Sequence, residues 1–122
     1  MHGFVYVLTN PYLVGGTFKD EPLVKIGMTT RDFDVRIKEL NASTSVPGPF
    51  VVEYVARVDN PEYVERQLHK IFFRHRVNDK REFFTVLPEE VIMCLALAEH
   101  VDVTDASEFT RGKNEFDPRC DF

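Results

Sequence analysis

Glu65 and His69 stand four residues apart, Arg36 falls between Phe33 and Leu40, and Tyr6 lies midway along an apolar, β-rich stretch. Together these side chains could work on a phosphodiester. Hydrolysis of that bond needs the phosphate charge neutralised, a water activated for attack and usually a divalent cation held by carboxylate. At i and i+4 of a helix the Glu65 and His69 side chains meet on one face. Arg36 flanks an apolar stripe rather than pointing straight outward, and the Tyr6 hydroxyl could enter a shared cleft. Each residue also has a plain structural use. Tyr6 could be strand packing, and Glu65 with His69 a surface hydrogen bond. Arg36 could pair with Asp32 or Glu39, Lys25 could be an exposed strand lysine, and the Phe72-Phe73 and Phe83-Phe84 pairs could be core.

Other chemistries lack their residues. His2, His69, His75, His100, Cys94 and Cys120 show no zinc-ligand spacing. Gly15-Gly16 has neither the Lys-Ser/Thr of a P-loop nor the repeat of a dinucleotide-binding turn. No Gly-x-Ser-x-Gly occurs, and neither cysteine has an implied histidine partner.

The elements that would carry these groups follow from periodicity. Residues 3–9 are β-branched and aromatic, with Phe4, Tyr6 and Leu8 on one face, and Asn10-Pro11 ends them. A loop over 11–21 leads to a strand from Leu23 to Met28, with Val24 and Ile26 opposite Lys25. Thr29 to Asp32 offers a helix cap, and Phe33, Ile37 and Leu40 recur at helical spacing. After the Ser, Thr, Pro and Gly of 41–49, Phe50 to Val58 reads as a strand. Asn60-Pro61 opens a helix expected to run to about His75, with Val64, Leu68, Ile71, Phe72 and His75 as its apolar stripe. Glu82 to Val86 reads as a short strand, and Pro88 opens a last helix to Ala98 that is apolar nearly all round and so expected to be well buried. Beyond His100 periodicity fades and the tail is expected to be mobile or loosely packed. The reading is an α+β domain over 1–101 with an acidic tail over 102–122.

Length and composition agree with this. A chain of 122 residues, 43% hydrophobic and 29% charged, is one ordinary globular domain rather than a disordered or fibrous chain. The longest apolar run, Val91 to Ala98, is too short to span a membrane. Met1-His2-Gly3 has no secretory-signal pattern and only two cysteines occur, so a reducing cytoplasm is the expected setting. The net charge of −5 argues against a nucleic-acid partner until its distribution is seen. Residues 99–122 carry a net −4, while 66–81 hold Arg66, Lys70, Arg74, Arg76, Lys80 and Arg81 against Asp79 alone. A basic stripe beside an acidic tail is compatible with phosphate binding, and equally with a solvated helix face. The tail could be a solubilising segment, or could lie on the stripe as a brake.

In order along the chain come Gly3-Phe-Val-Tyr6-Val-Leu, Val24-Lys-Ile-Gly27-Met-Thr29, Arg36, Glu65-x-x-x-His69 and Glu82-Phe-Phe84. This series resembles the GIY-YIG nuclease superfamily, and within it the phage-associated DNA-binding branch, over about residues 3–87. The resemblance implies a three-stranded antiparallel sheet flanked by helices, here with an extra C-terminal helix. It implies that Tyr6 activates the attacking water or bonds the phosphate, and that Gly27 permits a close approach. It further implies that Arg36 stabilises phosphate charge and that Glu65 holds one Mg²⁺ or Mn²⁺. Lys25 replaces the usual tyrosine of the second motif, and Leu40 stands where many members carry His or Tyr, a gap that His69 could fill. On this reading Tyr6, Lys25, Arg36 and His69 are catalytic and Glu65 is the metal ligand. Gly27, Thr29, Arg66, Lys70, Arg74, Arg76, Lys80 and Arg81 would contact DNA, or RNA in its place. The expected function is a metal-dependent endonuclease; the alternatives are a non-catalytic DNA-binding module and a protein-interaction domain on the same fold.

Overall fold

The computed structural model describes residues 2–10, 23–42, 49–77 and 82–110. The element order is β1 (Gly3–Thr9), β2 (Val24–Thr29), α1 (Phe33–Asn41), β3 (Val51–Val58), α2 (Pro61–Ile71), β4 (Phe83–Phe84), α3 (Pro88–Leu95) and β5 (Val101–Asp102). Alternation dictates the layering. Val5, Val7, Val24, Ile26, Ala56 and Val58 form one core with Leu68, Phe72, Val91 and Leu95 of the α2 and α3 side. On the opposite face Tyr6, Leu8, Val52 and Val55 meet Phe33 and Ile37 of α1, together with Phe50 and Phe83. A bulge between Val7 and Leu8 shifts the pairing from Tyr54 to Val52, which explains why the alternation of β3 changes phase.

The helix starts are chemically determined. The Asp32 carboxylate accepts the backbone N–H groups of Asp34 at 2.8 Å and Val35 at 3.3 Å. At α2, Asn60 accepts the Tyr63 N–H at 3.2 Å, with Pro61 in the first turn.

Four expectations need correction. The sheet is antiparallel but has five strands in the order β4-β2-β1-β3-β5, because two-residue edge strands extend the expected three. Helix α2 stops at Ile71 and a 3₁₀ turn over Phe73–His75 follows, so the phase breaks and Ile71 and His75 are exposed while Leu68 and Phe72 are buried. Helix α3 ends at Leu95 and buries only one side, through Val91 and Leu95, leaving Leu97 just beyond it 91% exposed. The segment after His100 docks on the domain. Its β5 straddles the boundary drawn at 101/102 and pairs with Ala56 and Arg57, and Ser107 is fully buried. Ser107 Oγ donates to Asp34 at 2.6 Å, the Glu108 N–H donates to the same carboxylate at 3.0 Å, and Lys38 pairs with Glu108 at 3.2 Å. Residues 102–110 thus lie against α1 and β3, whereas the basic stripe begins on α2. Among the described residues, no helix is long and apolar enough to cross a membrane.

Candidate active site

Tyr6 of β1 stands directly opposite Gly27 of β2 in the antiparallel register. Lys25, Gly27 and Thr29 share its sheet face, the one that α1 covers. A Cβ placed on Gly27 would lie 2.5 Å from the Tyr6 ring and hydroxyl, so only glycine lets the phenol lie across β2. The close approach expected at Gly27 is therefore made by the chain's own tyrosine.

Arg36, one turn into α1, is bonded to the Tyr6 hydroxyl. Arginine has no acceptor, so its N–H donates and the phenol oxygen accepts. Tyr6 is buried, and desolvation pushes its pKa up to about 12, with Glu82 and Glu65 adding to the rise and Arg36 opposing it. Burial also disfavours the charge on Arg36, but Tyr6 and Glu39 more than offset this, and its pKa sits above the usual arginine value. Of the two partners open to Arg36 in the sequence, Asp32 is used as the helix cap and Glu39 makes the ion pair, at 3.6 Å. Glu39 also takes Arg31 at 2.6 Å, which holds its own carboxyl below the ordinary range.

Lys25 is not an exposed strand lysine. It is only 8% exposed, with its ammonium 3.1 Å from Glu82 and 5.3 Å from the centre of the Phe83 ring. Glu82 is set there because its carbonyl accepts the Ile26 N–H at 3.0 Å, just outside β4.

Helix α2 brings Glu65 and His69 round the edge of β2. Glu65 is half-buried, and desolvation raises its carboxyl to about 7; Glu82 and Glu62 push the same way while Lys25 and Arg66 oppose them. His69 Nε2 donates to the Ile26 carbonyl at 3.0 Å, and its Nδ1 accepts from Arg76 at 3.2 Å. Both ring nitrogens are thus engaged. His69 locks α2 onto β2 beside Gly27, and neither nitrogen is left to move a proton.

The basic residues divide. Arg66, Lys70 and Arg76 line an open hollow of about 380 Å³ with Glu65, His69 and Phe73. Arg66 is paired to Glu62 at 3.0 Å, and Arg76 lies 5.6 Å from the Phe84 ring centre. Arg74 is exposed on the 3₁₀ turn. Thr29 is buried and its hydroxyl accepts the Arg31 N–H at 3.1 Å at the turn into α1. Lys80 and Arg81 lie outside the described residues.

Compared with known protein families, residues 3–99 match the T5orf172 domain, a span that takes in every side chain of this cluster. The chain belongs to the T5orf172 domain family. No curated protein and no solved structure matches it. The T5orf172 domain is phage-associated and related to the GIY-YIG and HNH-like endonuclease group, which points to a nucleic-acid-related function.

In this T5orf172 domain the sequence-derived set is brought together around β2: Tyr6, Lys25, Gly27 and Arg36 from the α1 side, Glu65 and His69 from α2. Two further residues support the cluster; the sequence offered Glu39 as one of two partners for Arg36 and placed Glu82 only within the Glu82-Phe-Phe84 fragment. Glu39 orients Arg36, and its signal is no more than i+3 spacing. Glu82 neutralises Lys25 and acts on Glu65, and its only mark is its place before Phe83-Phe84.

The donor set also bears on a metal. Among the described residues no group of three or more His, Cys, Asp or Glu could hold an ion. A half-buried Glu65 carboxyl raised by its surroundings and by a second carboxylate, Glu82, is nonetheless relieved by positive charge. Glu65 alone is a donor of the type a hard divalent cation would take, with water in its remaining positions.

Proposed function

We propose that this chain binds DNA and hydrolyses its phosphodiester bonds, with Glu65 holding one Mg²⁺ or Mn²⁺. The supporting fold reading is a GIY-YIG-like core extended by β5 and α3. The observation that carries the proposal is the convergence around Gly27, where the Tyr6 phenol lies across β2 beneath Arg36, Lys25 is paired with Glu82, and His69 of the helix that carries Glu65 bonds the Ile26 carbonyl. Arg36, half-exposed and permanently charged, would meet the phosphate with its planar fork. Lys25, buried and paired with Glu82 at 3.1 Å, supports the site from within β2 rather than adding a free charge. Tyr6, sealed in the core and keeping its proton at neutral pH, acts as a positioning residue for Arg36 rather than as a base. When bound, the cation supplies Lewis-acid stabilisation and lowers the pKa of a coordinated water.

A second reading, a DNA-binding module without cleavage, is favoured by one specific feature. Lys25 stands where the GIY-YIG nucleases that the chain resembles carry a tyrosine and is committed to Glu82, while Tyr6 and His69 have no nitrogen or oxygen poised to accept a proton from water.

Nicking of supercoiled plasmid with Mg²⁺ or Mn²⁺, beside a gel-shift titration in EDTA, separates the two. The enzyme reading expects nicking that vanishes in EDTA and in Glu65→Ala. Salt-dependent retardation with no cleavage under any metal selects the binding module, with log affinity falling by about 0.9 per phosphate contacted for each unit of log salt. Absence of both removes the nucleic-acid reading.

A further inference from the structure

Phe73 is 62% exposed, although its neighbour Phe72 and the Phe83-Phe84 pair are all buried. The cause is local. Phe73 follows Glu65 and His69 at four-residue steps on the outer side of α2 and the turn that ends it, while Phe72 follows Leu68 into the core. The ring reaches the hollow of about 380 Å³ that Glu65 and His69 also line. Residues 65, 69 and 73 follow one another at roughly one-turn intervals, so the ring lies on the order of 12 Å along the axis from the Glu65 carboxyl.

We propose that Phe73 is a stacking platform for an unpaired nucleotide, so that the site takes DNA with single-stranded character, an overhang, flap or opened strand, in preference to an intact duplex. This rests on the nucleic-acid reading above and names its substrate class. Three observations combine. The ring is large, apolar and in water, where nothing in the fold requires it. Its rim carries Arg66 and Lys70, exposed on α2, and Arg76, fixed between His69 at 3.2 Å and the Phe84 ring, with Glu62 on the same rim paired to Arg66 at 3.0 Å. The same hollow runs to the carboxyl that would hold the cation. An aromatic surface inside a basic groove matches a sugar-phosphate strand whose bases are free to stack, and every base has a face to offer. A duplex keeps those faces internal. An apolar protein partner would gain from the ring but not from the three cations around it.

Fluorescence anisotropy on the full chain in EDTA at low salt tests this, with three labelled probes: an oligothymidine strand, an abasic sugar-phosphate strand of equal length, and a duplex. Oligothymidine is expected to bind about tenfold more tightly than the abasic strand, the size of one stacked base. Phe73→Ala should bring the two strands to parity, and Phe73→Trp should restore the difference. The ratio isolates the ring from the charges, as in a double-mutant cycle. Equal wild-type binding of thymidine and abasic strands overturns the platform, as does a Phe73→Ala variant that keeps the ratio. If the duplex binds but base content makes no difference, only the platform falls. If no probe binds, the nucleic-acid reading falls with it. Should Phe73→Ala not fold, the wild-type thymidine-to-abasic ratio still decides.

Discussion

The Tyr6 phenol lies so close over Gly27 that a single methyl group at residue 27 would stand 2.5 Å from its hydroxyl oxygen. This contact links the sheet to the chemistry, because the same hydroxyl accepts the N–H of Arg36. Gly27→Ala cannot be absorbed by a swing of the ring, which is buried among Leu8, Phe33, Ile37 and Val55. The variant is expected to lose about 1–3 kcal/mol of stability, the usual cost of overpacking. A urea titration followed by circular dichroism measures it. A melt indistinguishable from wild type would show that the ring has room the structure denies.

Tyr6→Phe keeps the ring and deletes the acceptor for Arg36. The loss of a hydrogen bond to a charged group costs about 1.5–3 kcal/mol of stability, and phosphate-dependent affinity should fall as well because Arg36 loses its fixed geometry. As a positioning residue, Tyr6 should leave the shape of the pH dependence intact. Loss of an alkaline limb in Tyr6→Phe would instead mark it as the group that takes a proton.

Glu65 carries its own pH signature. Its folded-state pKa, about 7, lies above the unfolded value of 4.5, so the folded chain holds this proton more tightly. The resulting stability is fully present below about 4.5 and is lost as pH rises through about 7. Because the side chain is part-exposed, water screening reduces the effect to on the order of 1 kcal/mol. Wild type should therefore lose stability relative to Glu65→Gln across that window, and Mg²⁺ should recover it in wild type alone. Lys25→Met should move the Glu65 titration up and Glu82→Gln should move it down, as followed by carboxyl NMR. A difference from Glu65→Gln that stays flat with pH would refute the assignment.

Asp34 fastens the C-terminal segment to the helix that carries Arg36, through Ser107 Oγ at 2.6 Å and the Glu108 N–H at 3.0 Å. Asp34→Ala leaves the fully buried Ser107 without this acceptor. The expected cost is about 1–2 kcal/mol, or a fall of several degrees in Tm for a domain of this size, at about 4 °C or more per kcal/mol. Differential scanning calorimetry reads it directly. An unchanged Tm would mean that residues 102–110 add nothing to the domain.

Local chemistry was legible in the sequence, and contacts across long chain separations were not. Alternation placed Phe4, Tyr6 and Leu8 on one face and Lys25 opposite Val24, and the Asp32 and Asn60 caps stood in plain view. Periodicity could not show that Lys25 would be buried, because its partner Glu82 lies 57 residues on. Nor could it show the docking of Ser107, whose acceptor is 73 residues back. Two-residue strands such as β4 and β5 are too short to leave a period. The end of α2 at Ile71 leaves no mark in the sequence, because apolar residues recur at helical spacing through Leu68, Ile71 and Phe72. For the candidate site, Tyr6, Gly27, Arg36 and Glu65 were visible as ordered fragments. Only the folded chain revealed that Tyr6 is sealed beneath Arg36 and that both His69 nitrogens are occupied.

The most direct measurement is the single-turnover rate of DNA strand cleavage with Mn²⁺ by wild type, Glu65→Gln and Arg36→Ala, each first verified as folded. Cleavage by wild type is expected, with a loss of about a hundredfold or more in each variant, the scale seen when one transition-state contact is removed. Cleavage that persists undiminished in Glu65→Gln, or in wild type stripped of divalent cations, would contradict the account.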